Sequence, residues 1–370
     1  MAFRWVALLF VFTSAALSQG PSNVTRPLVL EGQAAEVVID TSGGAIASFR
    51  FKNGLNPLSW QEVTDKPGPR WKGHFLCLDR WGPASGAEER NGMPFHGEAS
   101  RLEWKVLRTP TKTKNAIVSE MEVAMPLAGL KVHRQIKLSD EQAVVAVREQ
   151  VTNTNKLGRV YNMVQHPTIG PPFLDETTVI DANGRKGLIS YRPLPNPEEP
   201  AVYWPQALKD GQPVNIRYLV NDHDPNVAAY TIDDEYGWVV ACNASKGLLI
   251  GYLWKAHEYP WLIDWRHVEK GKPFARGLEF GTTSLPHPDS VLIAKGPVFG
   301  RPIIAHLDAG QAETRSYAAF LFKIPKDYRG VAELAYDRRR LVLKERFILY
   351  EQHSPPDRDL VMETGDLFGD

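Results

Sequence analysis

The middle of the chain carries a histidine followed by a proline, in the run Val164-Gln165-His166-Pro167-Thr168-Ile169-Gly170-Pro171-Pro172-Phe173-Leu174. Residues 161–165 are mostly apolar and strand-like, whereas Pro167 lacks the N–H group that a further ladder hydrogen bond needs. The pattern therefore predicts a strand that ends near His166 and a stiff Gly/Pro loop that presents the imidazole. A histidine that only bonds a nearby carbonyl at a strand end is the alternative.

Short apolar runs separated by turn residues continue along most of the chain, which is typical of an all-β protein. Strands are predicted over residues 28–31, 35–40, 45–51, 73–82, 102–107, 116–125, 130–138, 143–152, 160–164, 228–232, 238–243, 247–254, 277–283 and 316–322. Residues 181–215 are rich in Pro and Gly and are predicted to form an insertion or a long rim loop, and residues 311–316 and 330–337 could each form a helical turn. The sequence therefore predicts a mainly β domain of antiparallel sheets over residues 28–323, followed by a C-terminal extension over residues 324–370.

Charge and composition narrow the classes of partner. The chain of 370 residues has 43 basic and 43 acidic residues, so its formal net charge is zero. This balance argues against a nucleic acid or an anionic membrane surface as the main partner. Ten Trp, 12 Tyr and 15 Phe suit a large β core, and they also suit a site that binds the flat apolar faces of sugar rings.

The N-terminus has the pattern of a signal peptide. Arg4 precedes an apolar run over residues 5–17, and small residues at positions 16 and 18 fit cleavage after Ser18. We therefore expect residues 1–18 to be a signal peptide, residues 19–27 to be a flexible lead, and the mature chain to be exported, to a periplasm or the outside. No later segment is apolar enough for a membrane span after signal cleavage.

Neither a metal site nor a bound cofactor is indicated by the sequence. Its two cysteines, Cys77 and Cys242, each lie in a strand-like run and are expected to be buried free thiols, although a single bridge between them remains open in an exported protein. No His or Cys cluster has the spacing of a structural zinc site. The oligomeric state cannot be inferred from these patterns.

Three polar residues stand at the edges of apolar strands and are candidates for chemistry: His96, His166 and Glu279. The neighbours of Glu279 include Leu278 and Phe280, so burial would raise the pKa of its carboxyl group toward that of a general base. A turn histidine at position 96 and an ion pair between Glu279 and Arg276 are the structural alternatives.

Four segments together resemble the aldose 1-epimerase (galactose mutarotase-like) superfamily, in the family's order. They are Gly43-Gly44-Ala45-Ile46-Ala47-Ser48-Phe49-Arg50, the His-Gly segment Phe95-His96-Gly97-Glu98, the His-Pro segment His166-Pro167, and the Glu segment Gly277-Leu278-Glu279-Phe280-Gly281-Thr282. In many mutarotases the His-Pro segment continues Tyr-Phe-Asn-Leu, whereas here it continues Thr168-Ile169-Gly170-Pro171. The chain is therefore similar to divergent members of the superfamily.

The resemblance implies a galactose mutarotase-like β-supersandwich and a sugar or oligosaccharide as partner. It also implies interconversion of sugar anomers by acid/base ring opening, with Glu279 as the base, His166 as the acid, and His96 sharing the acid role or bonding a hydroxyl. The expected substrate-binding residues are Arg80, Trp81, Asp264 and Trp265.

Two other functions remain open on the same fold. One is a carbohydrate-binding protein without catalysis, because a fold does not fix a function. The other is a polysaccharide lyase or a glycoside hydrolase, for which Glu279 with Asp264 or Glu98 could supply two carboxylates.

Overall fold

Antiparallel strands make up most of the molecule. A computed structural model of the chain describes residues 27–65, 68–190, 193–218, 220–346 and 358–369. The predicted signal peptide and residues 19–26 of the predicted lead lie outside these residues. Within them, no helix has the length and apolar character needed to cross a lipid bilayer.

The strands follow one another in this order: β1 (Leu28–Glu31), β2 (Ala35–Asp40), β3 (Ala45–Phe51), β4 (His74–Asp79), β5 (Lys105–Lys112), β6 (Ala116–Met125), β7 (Leu130–Ser139), β8 (Val144–Asn153), β9 (Arg159–Ile169), β10 (Val179–Ala182), β11 (Gly184–Ile189), β12 (Val202–Tyr203), β13 (Gln206–Lys209), β14 (Gln212–Asn215), β15 (Val227–Ile232), β16 (Tyr236–Asn243), β17 (Leu248–Lys255), β18 (Trp261–Glu269), β19 (Lys272–Gly281), β20 (Ala305–Leu307), β21 (Ala312–Lys323), β22 (Val331–Tyr336), β23 (Arg340–Glu345) and β24 (Leu360–Glu363). Two short α-helices, α1 (Gly86–Arg90) and α2 (Asp289–Lys295), and two 3₁₀ turns, Ala99–Arg101 and Ala244–Lys246, lie between strands.

Two large antiparallel sheets pack face to face. The first sheet has the order β1-β2-β3-β4-β9-β19-β18-β15-β11-β12, with β20 beside β9, and the second has the order β10-β16-β17-β21-β8-β7-β6-β5. Apolar side chains from both sheets fill the space between them, for example Leu76 and Phe280 from the first and Val145 and Tyr252 from the second. This arrangement confirms the predicted mainly β fold with antiparallel sheets.

Side chains alternate between the two faces of each strand, so each large sheet has an outward face as well as a face toward the core. Different parts of the chain cover the two outward faces. The outer face of the second sheet, with Val240 and Phe320, is covered by a three-stranded C-terminal sheet of β22, β23 and β24 that contributes Leu341 and Met362. On the first sheet, the outer face instead carries a third apolar cluster, formed by loops that close over it.

The strand pattern departs from the sequence prediction in several places. The strand predicted to end near His166 continues as β9 to Ile169, and the strand predicted over residues 102–107 is β5, Lys105–Lys112. The two helical turns predicted over residues 311–316 and 330–337 are instead the beginning of β21 and nearly all of β22. The predicted loop over residues 181–215 contains β11 to β14, of which β13 and β14 form a separate hairpin.

Both cysteines are buried free thiols, as predicted. Cys77 lies in β4 on the outward face of the first sheet, and Cys242 lies in β16 on the outward face of the second sheet. The bridge that remained open is absent because the two thiols lie on the outward faces of opposite sheets, with the core between them.

Candidate functional site

A cavity of about 320 Å³ lies on the outward face of the first sheet. Its floor comes from alternate residues of neighbouring strands: Phe75 from β4, His166 from β9, Glu279 from β19 and Trp265 from β18. The complete lining is Trp60, Glu62, Val63, Trp71, Phe75, Trp81, Gly82, Phe95, His96, His166, Val227, Trp265, His267, Glu269, Phe274, Glu279 and Pro286. The three residues predicted to carry chemistry, His96, His166 and Glu279, therefore share one cavity.

Glu279 is fully buried at the bottom of this cavity. Its Oε2 atom accepts a hydrogen bond from the indole Nε1 of Trp81 at 3.0 Å, and its Oε1 atom lies 3.1 Å from Nε2 of His166. The angles at this second contact are not those of a hydrogen bond, so Oε1 has no hydrogen-bond partner among the described residues. Burial raises the pKa of the Glu279 carboxyl group well above 4.5, since one indole donor offsets little of the lost hydration.

His166 faces the same point from the neighbouring strand. Its ring stacks on that of Phe75, with 4.2 Å between ring centroids, and its Nδ1 atom lies 2.9 Å from Oγ1 of Thr168. Burial lowers the pKa of His166 to about 3, because a charged imidazolium would lose its hydration in this apolar setting. The resting imidazole is therefore neutral over the physiological range.

The register of β9 and β19 explains why His166 and Glu279 meet. Gln165 pairs with Phe280 and Thr168 pairs with Gly277, so the same register places His166 opposite Glu279. Because the two strands are adjacent and antiparallel, opposed residues point to the same face of the sheet. Pro167, without an N–H group, occupies the interval between those pairs and does not end the strand.

His96 enters the cavity from the loop after α1. Its Nδ1 atom accepts the backbone N–H of Gly82 at 3.0 Å, so the neutral ring carries its proton on Nε2. Its ring centroid lies 5.7 Å from that of His166, and burial holds the pKa of His96 well below 6.5. The cavity therefore has a neutral imidazole that is fixed as a donor at Nε2.

The sequence His96-Gly97 is required by the backbone at this point. Both residues have positive φ angles, 66° for His96 and 76° for Gly97. A Cβ atom at position 97 would overlap the carbonyl oxygen of Leu78 in β4. Glycine alone allows this close approach, which sets His96 beside the strand that carries Phe75.

The predicted substrate-binding residues separate into two groups. Trp81 and Trp265 line the cavity, whereas Arg80 and Asp264 do not. Arg80 is buried and directs its guanidinium at two carboxylates, with Asp79 at 2.7 Å and Glu88 at 2.8 Å.

Asp264 lies on the inner face of β18, at the edge of the core. There it binds Arg276 at 2.9 Å and Arg266 at 3.3 Å. The Asp264–Arg276 pair also means that Arg276 is not the partner of Glu279, which was the structural alternative for that carboxylate. Asp264 and Trp265 are neighbours in one strand, so they must point to opposite faces, and only Trp265 reaches the cavity.

Twelve lining residues were missed by the sequence prediction, and five of them are Trp or Phe: Trp60, Trp71, Phe75, Phe95 and Phe274. Phe75 follows directly from the alternation of β4, because it is two residues before Cys77 and opposite in face to Leu76 and Leu78. Glu62 and Trp71 come from a loop region where no pattern indicated an approach to the cavity. The local sequence around those loop residues carries no signal that could have found them.

A chain of buried polar groups lies beneath the cavity, on the core side of the first sheet. The side-chain oxygen Oε1 of Gln165 lies 3.0 Å from Nε2 of His74. The side-chain nitrogen of Gln165 donates to Glu149 at 2.5 Å and to the hydroxyl of Tyr259 at 3.1 Å. Glu149 in turn binds Arg134 at 2.6 Å. Gln165 immediately precedes His166, so its bonds to Glu149 of the second sheet and to Tyr259, between β17 and β18, fix the strand at the residue next to the imidazole.

Among the described residues, no group of three or more His, Cys, Asp and Glu side chains is arranged to hold a metal ion. At its bottom the cavity instead offers the buried carboxyl group of Glu279, the neutral imidazoles of His96 and His166, and flat aromatic surfaces. Chemically, this set can transfer protons and bind an uncharged ring-shaped ligand.

Comparisons with solved structures agree on the fold. A galactose mutarotase-related enzyme from Lactobacillus acidophilus matches with a TM-score of 0.55 at 13% identity, over 81% of this chain and 98% of that one. A galactose mutarotase-like protein from Lactobacillus casei matches with a TM-score of 0.55 at 15% identity, over 80% of this chain and 100% of that one. Another from Clostridium acetobutylicum matches with a TM-score of 0.52 at 11% identity, over 80% and 95%.

These likenesses show that the chain has the galactose mutarotase-like fold, as the resemblance implied, in a divergent form. No curated protein matches the sequence. A family model described as a domain of unknown function (DUF4432) matches residues 77–299, a range that contains Trp81, His96, His166 and Glu279. The chain therefore belongs to the DUF4432 family.

Proposed function

We propose that this protein is a carbohydrate-active enzyme of the aldose 1-epimerase type, which interconverts the anomers of a sugar. The observation that carries the proposal is the approach of Glu279 Oε1 to His166 Nε2, at 3.1 Å, at the bottom of a cavity lined by aromatic rings. Anomer exchange needs one group that removes a proton and one that supplies a proton within reach of the same ring.

The proposed cycle starts from the proton count of this pair. Burial favours the uncharged forms of both groups, so together they hold one proton, and their nearest atoms lie 3.1 Å apart. With that proton on His166, Glu279 is a carboxylate that can accept and His166 is an imidazolium that can donate. The pair can therefore take a proton at one atom and release one at the other without changing its net charge.

In the reaction, Glu279 removes the proton from the anomeric hydroxyl group while His166 protonates the ring oxygen. The bond between the anomeric carbon and the ring oxygen breaks, and an open-chain aldehyde forms. Rotation of the aldehyde presents its other face, and ring closure with the reverse proton transfers gives the other anomer. His96, whose Nε2–H donor is fixed by the bond from Gly82, can bond a sugar hydroxyl or share the acid role.

Aromatic rings supply the binding surface. Trp265 lies edge-on to His166, with 5.6 Å between centroids, and edge-on to Trp60, with 5.8 Å between centroids. The C–H faces of a pyranose pack well on such rings. Trp81 contributes differently, because its indole N–H is already bonded to Glu279.

Polarimetry of freshly dissolved sugars tests the proposal. The wild type should speed the approach to the equilibrium rotation for at least one common aldose, and Glu279→Gln and His166→Ala should each abolish most of that acceleration. Glu333→Gln, an exposed carboxylate of the C-terminal sheet, is the matched control and should behave as the wild type. If the wild type accelerates no aldose, the chemistry is absent, and a sugar-binding protein without catalysis replaces an epimerase.

The hydrolase or lyase alternative loses its expected second carboxylate. Asp264 lies on the other face of β18, and Glu98 is buried with its Oε2 atom accepting the N–H of Ala128 at 2.8 Å. Neither lines the cavity with Glu279.

Export is part of the same proposal. Its support is the basic start, the apolar run over residues 5–17 and the small residues before position 19. Expression of the full chain with its own N-terminus, followed by mass determination of the protein in the periplasm or medium, tests it. A mature chain beginning near residue 19 is expected, whereas uncleaved protein retained in the cytoplasm would refute export.

A further inference from the structure

A second cavity opens directly beside the first. It has a volume of about 590 Å³, and Glu62, Trp71 and Phe95 line both cavities. Its remaining lining includes the apolar residues Pro69, Pro83, Met93 and Pro94 and the polar residues Thr64, Glu89 and Arg101. We call this second cavity the side groove.

One short loop forms a continuous wall from the catalytic candidate to the side groove. His96 lines the first cavity, Phe95 lines both, and Met93 and Pro94 line the side groove. The loop is held at both ends, by the N–H of Met93 to the carbonyl of Glu88 at 2.9 Å and by the N–H of His96 to the carbonyl of Gly82 at 3.0 Å. We call the surface along this loop, from the first cavity to the side groove, the passage, and these two bonds hold it in place.

Phe95 is the open surface along this passage. Its side chain is 49% exposed, although it is a large apolar residue fixed between Trp71 and His96. The Trp71 ring, by contrast, is already in contact with other side chains of the protein. Phe75 stacks on it, with 5.6 Å between centroids, and the guanidinium of Arg101 lies 3.9 Å from its centroid. Phe95 can pack against a ligand that leaves the first cavity, whereas Trp71 acts as a rigid divider.

Glu62 and Arg101, which both line the side groove, satisfy each other's charge. Glu62 binds Arg101 through two hydrogen bonds of 3.0 and 3.2 Å and accepts the N–H of Trp71 at 3.2 Å. No lysine or arginine is among the described residues that line the first cavity, where the carboxyl groups are those of Glu62, Glu269 and Glu279. An acidic sugar would meet these carboxyl groups without a cationic partner, so the lining favours a neutral ligand.

From this geometry, and resting on the proposed function, we propose that the substrate is the reducing end of a neutral oligosaccharide. The reducing-end ring occupies the first cavity with its anomeric carbon at Glu279 and His166. The following sugar units, attached through a hydroxyl group other than the anomeric one, leave past Phe95 and lie in the side groove. A single sugar would occupy only the first cavity and leave the side groove filled with water.

Calorimetric titration with sugars of increasing length tests this assignment. The probes are glucose, cellobiose, cellotriose, maltose and maltotriose, titrated into the wild type and into Glu279→Gln, which removes the base but keeps the cavity. Binding should strengthen by at least about tenfold from the monosaccharide to the better trisaccharide. Phe95→Ala should reduce that length advantage about five- to tenfold, the loss expected for one aromatic contact. Tyr203→Ala, an aromatic residue of β12 that is 60% exposed and lines neither cavity, should leave the length advantage unchanged.

The possible outcomes test the side-groove assignment and the proposed reaction separately. Equal affinity for all chain lengths, or a Phe95→Ala variant that weakens the monosaccharide and the trisaccharides by the same factor, overturns the groove assignment even if the protein accelerates mutarotation. Length-dependent binding without any mutarotation supports the groove and overturns the enzyme. Failure to bind any of the five sugars, together with no mutarotation, overturns both.

Discussion

Replacing Glu279 by glutamine should change how the stability of the fold depends on pH, independently of any substrate. The carboxyl group has an ordinary pKa of 4.5, and burial raises that pKa well above this value in the folded protein. Between these two pKa values the folded state keeps a proton that the unfolded state has lost. Wild-type stability from this group is therefore complete below pH 4.5 and falls by about 1.4 kcal/mol for each further pH unit, up to the folded-state pKa.

His166 contributes a slope of opposite sign. Its pKa is about 3 in the folded protein and 6.5 ordinarily, so between these values the unfolded state binds more protons and stability rises with pH. Above pH 4.5 the two slopes oppose each other in the wild type, and they cancel until the pH reaches 6.5 or the folded-state pKa of Glu279, whichever is lower. Glu279→Gln removes the falling slope of Glu279, so the free energy of unfolding of the variant should rise relative to that of the wild type by about 1.4 kcal/mol per pH unit, from pH 4.5 up to the folded-state pKa of Glu279.

Urea denaturation followed by circular dichroism, at half-unit steps from about pH 5 to pH 8, measures this difference. The double variant Glu279→Gln/His166→Gln should lose the contributions of both groups, and Glu333→Gln controls for loss of a surface charge. A difference between Glu279→Gln and wild type that stays constant with pH would refute a neutral, buried carboxyl group at this position.

Three further changes probe the supports of the site. Trp81→Phe removes the hydrogen-bond donor to Glu279, worth about 1.5–3 kcal/mol to a carboxylate, so the pKa of Glu279 rises and the alkaline limb of the mutarotation pH profile, where the shared proton is lost, should move up by about one to two units; an unmoved limb would show that Glu279 is not the titrating group. Gly97→Ala should destabilise the fold by about 1–3 kcal/mol from backbone strain alone, measured by urea denaturation, because its Cβ atom would overlap the carbonyl oxygen of Leu78. Asp264→Asn should destabilise it by about 3–5 kcal/mol, since two buried arginines would lose their shared carboxylate; a change below 1 kcal/mol in the same assay would contradict that account.

The sequence predicted the local strands well where alternation and a tight turn occur together. The strands at residues 35–40, 45–51 and 116–125 have the predicted bounds, because period-2 burial and the flanking turns leave little choice of register. It also brought His96, His166 and Glu279 together, through the order of motifs in a resembling family. The convergence of His166 and Glu279 depends on strand pairing between β9 and β19, and that of His96 on the loop after α1, and no local pattern contains either.

The errors have physical causes that differ from one residue to the next. Placing both Asp264 and Trp265 in the site ignored the alternation of a strand, which the sequence itself showed. Ending the strand at His166 overestimated Pro167, because a proline costs only the ladder bond of its own N–H group. The bonds from Gln165 to Glu149 and Tyr259 join residues 16 and 94 positions apart, so only the folded arrangement of the two sheets reveals them.

The three-stranded C-terminal sheet has a consequence for solubility. Its residues Leu341 and Met362 lie against Val240 and Phe320, which would otherwise be open to water on the outer face of the second sheet. A chain shortened to end at residue 323 would keep every residue of the cavity but expose this apolar surface. Such a surface is prone to self-association. By covering it, the C-terminal extension keeps separate molecules from associating through this face.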